Sequence, residues 1–135
     1  MDLIRNIETA ILERLAACVP GVAVEQGGSD PSSYKPNHPK GALVVYFTGA
    51  NFYTPLNYND LTQKIAYQFA VSVYKKELHG NDGAYALLQQ AQEALTGCTI
   101  LKNKLAPLSV RLVNCRKGLW HYEAKFEICL PATAL

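Results

Sequence analysis

Seven side chains of this sequence have the ordinary equipment for nucleophilic or acid–base chemistry: His38, His79 and His121, with Cys18, Cys98, Cys115 and Cys129. Such chemistry needs a nucleophile, a base within hydrogen-bond reach and a device that stabilises developing charge. Their spacing works against it. His121 and Cys129 share one predicted strand face, but eight residues along a strand span about 26 Å. No Gly-x-Ser-x-Gly elbow is present, and Gly27-Gly28-Ser29 lacks the strand-to-helix context of that motif. Neither a Gly-x-Gly-x-x-Gly nor a Gly-Lys-Ser/Thr phosphate cradle occurs. Asp30, Asp60 and Asp82 fall in separate loops and read as turn formers. Without a Cys-x-x-Cys pair or a histidine in ligand spacing, a structural zinc site is not expected. The sequence therefore predicts a non-enzyme with no catalytic, metal or cofactor-binding residue and no cofactor. Each histidine is expected to be solvated, and each cysteine to be a reduced thiol in apolar packing.

Polyanions and membranes are poor partners on the same evidence. The net charge is +2, with basic residues scattered from Arg5 to Lys125, where a nucleic-acid binder concentrates them on one face. Lys75-Lys76, Lys102 with Lys104, and Arg116-Lys117 are basic pairs at element ends. They read as solvated termini, or as the lining of a pore or a contact with an acidic partner. No segment approaches the ~20 apolar residues of a membrane span, and the amino terminus carries no secretory signal. A soluble protein made in the cytoplasm is expected, with protein partners.

The elements that would position these residues follow from periodicity. Ile4, Ile7, Ile11, Leu15 and Cys18 step by three and four, predicting a helix from Asp2 to about Val19 that stops at Pro20-Gly21. Val22–Glu25 reads as a short strand. Residues 27–40, with three prolines, have no periodicity and predict a long exposed loop of the kind that is often functional. Gly41–Thr48 is apolar on both alternating sets, as a covered central strand should be. A turn-rich stretch from Gly49 to Asp60 precedes Gln63–Lys75. There Ile65, Tyr67, Phe69, Val71 and Val73 alternate with polar or small residues, predicting a half-buried strand. Asn81 or Asp82 is the expected cap of a second helix, whose stripe is Ala84, Leu87, Leu88, Ala91 and Leu95 before Gly97. Leu108–Cys115 and Leu119–Leu130 predict a hairpin about Arg116-Lys117-Gly118. In the last strand Trp120, Tyr122, Ala124, Phe126, Ile128 and Leu130 share a face meant for burial, while His121, Glu123, Lys125 and Glu127 share the other. The expected fold is a single α+β domain spanning residues 1–135: two layers, with a mainly antiparallel sheet of about five strands and both helices on one face.

Within these elements a family pattern can be read. Ile7-Glu8-x-Ala10-Ile11-Leu12-x-Arg14-Leu15 opens it, then Gly41-Ala-Leu-Val-Val-Tyr46 and Gly49-x-x-Phe52. Phe69-x-Val71-x-Val73, Ala84-Tyr85-x-Leu87-Leu88 and Ala94-Leu95-x-Gly97 continue it, and Trp120-x-Tyr122 with Phe126 before Pro131 ends it. In order and spacing this resembles the small tail proteins of Mu-like phages and prophages, which look similar in fold to the tail terminator of lambda-like phages. The resemblance implies a structural subunit of a homo-oligomeric, hexameric ring that caps the tail tube and meets head–tail connector proteins. It also implies a place in the virion tail and no catalytic residues.

A closed ring needs two different complementary patches on every subunit. Candidate interface residues are Tyr34 in the long loop; Phe52, Tyr53 and Tyr58 in the turn-rich stretch; and Lys64, Gln68, Glu123, Lys125 and Glu127 on the polar strand face. Aromatic residues on loops make strong anchors. Two other readings compete with the ring. One is a monomeric protein-binding module that uses loop 27–40, and the other is a small Cys/His enzyme.

Overall fold

The computed structural model describes residues 2–27, 41–59 and 63–131. Its elements are α1 (Leu3–Cys18), β1 (Ala23–Gln26), β2 (Ala42–Phe52), β3 (Lys64–Lys75), α2 (Ala84–Leu95), β4 (Thr99–Ile100), β5 (Asn103–Lys104), β6 (Ala106–Arg116) and β7 (Leu119–Pro131). One sheet runs β1-β2-β3-β7-β6, and β4 with β5 forms a separate two-stranded ribbon. Every pairing in the main sheet is antiparallel except β1 with β2. Parallel neighbours need a crossover of a dozen or more residues, and the stretch between Gln26 and Ala42 is long enough to provide one. The expected α+β layering is the architecture observed.

Both helices lie on one face of the sheet, α1 against β1 and β2, and α2 against β3 and β7. Helix α1 buries Leu3, Ile7, Ile11 and Leu15, each worth about 1.5–3 kcal/mol of transfer free energy. The middle of the predicted stripe is met, but Leu3 takes the place of Ile4 at its start, and Ile4 and Cys18 are exposed. Helix α2 buries Leu87, Leu88, Ala91 and Leu95. Beneath them the sheet supplies Leu43, Val45, Phe69, Val71, Phe126 and Ile128, all essentially inaccessible. Gly41 stands where β2 begins, with φ +97, and a Cβ there would lie 2.7 Å from the Tyr74 carbonyl oxygen. Close approach and backbone conformation both require glycine at this point.

Several sequence expectations are corrected. Neither Asn81 nor Asp82 caps α2: the N-cap is Gly83, without a side-chain bond. The first turn is satisfied instead by main-chain carbonyls, Ala84 N–H donating to Glu77 O at 2.7 Å and Tyr85 N–H to Leu78 O at 3.2 Å. β3 is buried on both faces rather than half-buried. Ala66, Ala70 and Ser72 on the face away from the helices are as inaccessible as Phe69, because larger neighbours stand over these small residues on a central strand. The β7 face meant for burial is only partly so: Ala124, Phe126, Ile128 and Leu130 are buried, while Trp120 and Tyr122 are half-buried. Tyr122 meets Tyr85 of α2 edge-on, with ring centroids 6.0 Å apart, so the helix reaches it but covers it only in part. Three of the cysteines are not in apolar packing: Cys18, Cys115 and Cys129 are exposed, while the half-buried Cys98 packs against the core as expected.

Candidate functional site

The β2–β3 connection places the predicted aromatic anchors outside the core. Phe52 is 65% exposed, Tyr53 48% and Tyr58 74%, and Leu56 between them is 82% exposed. These values decide whether the aromatic residues pack back onto the domain: they do not. The base of this tip is nonetheless ordered. Tyr53 N–H donates to Lys64 O at 3.0 Å, the Gln63 amide donates to Tyr53 O at 2.8 Å, and the Asn57 side chain accepts from Asn59 N–H at 2.9 Å. A hairpin end with large apolar side chains and a hydrogen-bonded frame can anchor to another surface at little ordering cost.

The polar candidates form a second group, on the sheet face away from the helices. Antiparallel register sets Gln68 opposite Glu127, Ala70 opposite Lys125 and Ser72 opposite Glu123. Lys64 is exposed and the other four are half-buried. Glu123 accepts from Arg111 Nε of β6 at 3.2 Å, and Gln68 Nε2 donates to Glu127 at a long 3.4 Å. The Cys129 thiol lies 3.6 Å from Glu127; burial and then that carboxylate push its pKa up, with Lys64 opposing. Lys64 links the two groups, since its carbonyl holds the tip. Tyr34 lies outside the described residues, as does most of loop 27–40.

His121 is not the solvated residue expected. Its ring is half-buried and stacked on Tyr74, with centroids 4.2 Å apart and an interplanar angle of 21°. Its Nε2 is buried and has no hydrogen-bond partner among the described residues. Burial lowers its pKa, the Glu123 carboxylate opposes this, and Arg111 adds to it. Burial first, and then Tyr46, pushes Tyr74 up to about 12. His79 is exposed and meets Tyr85 edge-on at 5.2 Å, while His38 lies outside the described residues. A groove of about 570 Å³ lies among Val22, Lys75, Asp82, Gly83 and Leu87, and one of about 480 Å³ at the start of α1. Neither has a histidine or cysteine in its lining, and no metal-holding cluster of three or more His, Cys, Asp or Glu occurs among the described residues. No helix among them is long and apolar enough to cross a membrane.

Sequence reasoning missed a third surface. β6 exposes Leu108, Val110 and Leu112 at 47%, 39% and 48%. Val110 and Leu112 pair with Ala124 and Tyr122 on the helix side of the sheet, yet the helices do not cover them. Their alternation with Ser109 and Arg111 reads as an ordinary half-buried strand. The usable signal was the basic content of the flanking turns, which suits a sheet edge better than a covered strand.

Among curated proteins, none matches this chain. Over 96% of its length it shares a fold with a chain from the virion of a native gene transfer agent particle, with a TM-score of 0.63 and 15% identity over 98% of that chain. At that identity the likeness speaks for the fold alone. The model of the Gp37 protein family matches residues 11–133, nearly the whole of the sequence, and the chain belongs to that family.

Proposed function

We propose that this chain is a structural virion protein of a phage or phage-like particle, and specifically a tail-terminator or tail-completion subunit. It forms a ring of six copies on the tail tube and offers a surface to head–tail connector proteins. The single observation that carries this reading is the exposed apolar cluster of residues 52–58 in the β2–β3 connection. Phe52, Leu56 and Tyr58 stay largely exposed there, as fits an anchor whose partner is another subunit. Large exposed apolar patches mark interaction sites on soluble domains. Support also comes from membership of the Gp37 protein family and from the shared fold with a gene transfer agent virion chain. On this reading the polar strip of Lys64, Gln68, Glu123, Lys125 and Glu127 faces a neighbouring subunit, and the protein passes from the host cytoplasm into the virion tail. It works by assembly and not by catalysis.

Native mass spectrometry with negative-stain microscopy tests this directly. Closed rings of six copies are expected, and Leu56→Ser with Tyr58→Ser should weaken their attachment to tube protein while leaving the monomer folded. A chain that stays monomeric by light scattering at high concentration, and that binds no polymerised tube protein, overturns the reading.

A further inference from the structure

The sheet ends in two lateral edges of opposite charge. At one, residues 99–118 carry Lys102, Lys104, Arg116 and Lys117, and Arg111 paired with Glu123 of β7, without a single carboxylate of their own, although the whole chain is only +2. Between these cations run the exposed Leu108, Val110 and Leu112, and among the described residues β6 is hydrogen-bonded to β7 on one side only. The other edge is β1 with α1 above it. Residues 2–27 carry Asp2, Glu8, Glu13 and Glu25 against Arg5 and Arg14. Arg14 turns away, its Nε donating to Ala94 O at 2.9 Å, and Arg5 sits 3.4 Å from Asp2. The groove of about 480 Å³ at the start of α1 is lined by Asp2, Leu3, Ile4, Glu8 and Tyr67, with one cation, Arg5, among them. Its Ile4 is 38% exposed.

We propose that the β6 edge of one copy docks on the α1–β1 edge of a second copy, the apolar strip meeting the groove and the cations meeting the carboxylates. The inference deepens the ring reading above and rests on it for the closure of the ring, not for the contact itself. Charge complementarity selects the occupant. Two β6 edges brought together would oppose cation to cation, so a two-fold pairing through this strand is disfavoured. The contact uses two different patches, leaving each bound copy one free edge of each kind, and it propagates until a rotation closes it. An open edge strand with apolar side chains is an aggregation hazard unless something covers it, and head-to-tail docking supplies that cover. Nucleic acid would satisfy the cations but leave Leu108, Val110 and Leu112 without apolar partners.

Charge reversal in two halves tests the proposal. Lys104→Glu/Arg116→Glu/Lys117→Glu makes both edges acidic, and Asp2→Lys/Glu8→Lys makes both basic. By sedimentation velocity each variant alone should lose self-association by more than about tenfold. An equimolar mixture should recover it, because every contact in an alternating assembly is then attractive, and no folding defect can produce such recovery. Carbodiimide cross-linking of mixed ¹⁴N- and ¹⁵N-labelled wild-type chains provides a second readout. It should join Lys102, Lys104 or Lys117 of one isotope to Asp2 or Glu8 of the other. Variants that associate like wild type, a mixture that stays apart, cross-links absent from this pairing, or a β6 edge protected only by a DNA duplex would each overturn the proposal. Complementation and cross-links without closed rings keep the edge contact and remove the ring reading; rings without them do the reverse.

Discussion

β3 and β6 are strands of nearly equal length, each alternating apolar with polar or small side chains, and each paired to β7. Along β3 the residues from Ile65 to Tyr74 are buried, except for the half-buried Gln68. Along β6 every residue is exposed except the half-buried Val113. β3 has β2 on one side, β7 on the other and α2 above, whereas among the described residues β6 has β7 as its one strand neighbour and ends the sheet. Burial of a strand is thus set by how many neighbours the topology gives it, and a strand's own alternation cannot report that number. The difference separates two duties: β3 holds the fold, and β6 is available to hold something else.

The sharpest way to break this comparison is to cut one large side chain from each strand. Phe69→Ala removes a ring packed against Phe47 at 5.3 Å between centroids, and should cost about 3–5 kcal/mol of unfolding free energy. Leu112→Ser should change monomer stability by less than about 1 kcal/mol, while weakening association. Urea titrations at low protein concentration measure both. Comparable losses in the two variants would mean that β6 belongs to the core after all.

Next in size is the turn that ties β6 to β7. Lys117 has φ 52 and Gly118 φ 77, positive at both central positions as a tight two-residue hairpin requires. A Cβ on Gly118 would meet nothing within 4 Å, so Gly118→Ala tests the backbone alone and should cost about 1 kcal/mol. Amide exchange should quicken in β6 and stay slow in β3. Uniform quickening would show that the two strands open together, contrary to the division drawn above.

Much of this division was beyond what the residues alone could say, and the reasons are physical. Helical stripes such as Ile7-Ile11-Leu15 and the alternation of β7 predict their elements because one buried face leaves a period in the sequence. The hairpin at Lys117-Gly118 was legible from its glycine. The β4–β5 ribbon was not, since its turn uses Leu101 and Lys102 at φ 50 and 67, positions where glycine or asparagine is the usual signal. Exposure of Phe52 and Tyr58 was left open, because an aromatic residue in a loop can pack inward or outward without altering the pattern. The bare apolar strip of β6 was hidden by an alternation identical to that of a covered strand. Exposed Cys115 and Cys129 follow from the same cause: both sit near the margin of the sheet, where apolar composition stops predicting burial.

His121 stands where the buried and exposed parts of the sheet meet, opposite Tyr74 of β3 on one side and Asn114 of β6 on the other. The charged groups near it are Glu123 on its own strand and Arg111 on β6, with the Tyr74 hydroxyl group on β3. Because burial lowers its pKa below 6.5 in the folded chain, the unfolded chain takes up a proton first as the medium is acidified. The contribution of neutral His121 to stability is therefore whole above pH 6.5 and is lost as pH falls below it. His121→Phe keeps a ring on Tyr74 and removes the titration. Thermal unfolding followed from neutral to mildly acidic pH should show the wild type losing stability relative to the variant, the difference between the two curves becoming constant once the imidazole is protonated in both the folded and the unfolded chain. Parallel curves would mean that the imidazole meets water freely in the folded state, and would move the boundary between the covered and open parts of the sheet inward to β3.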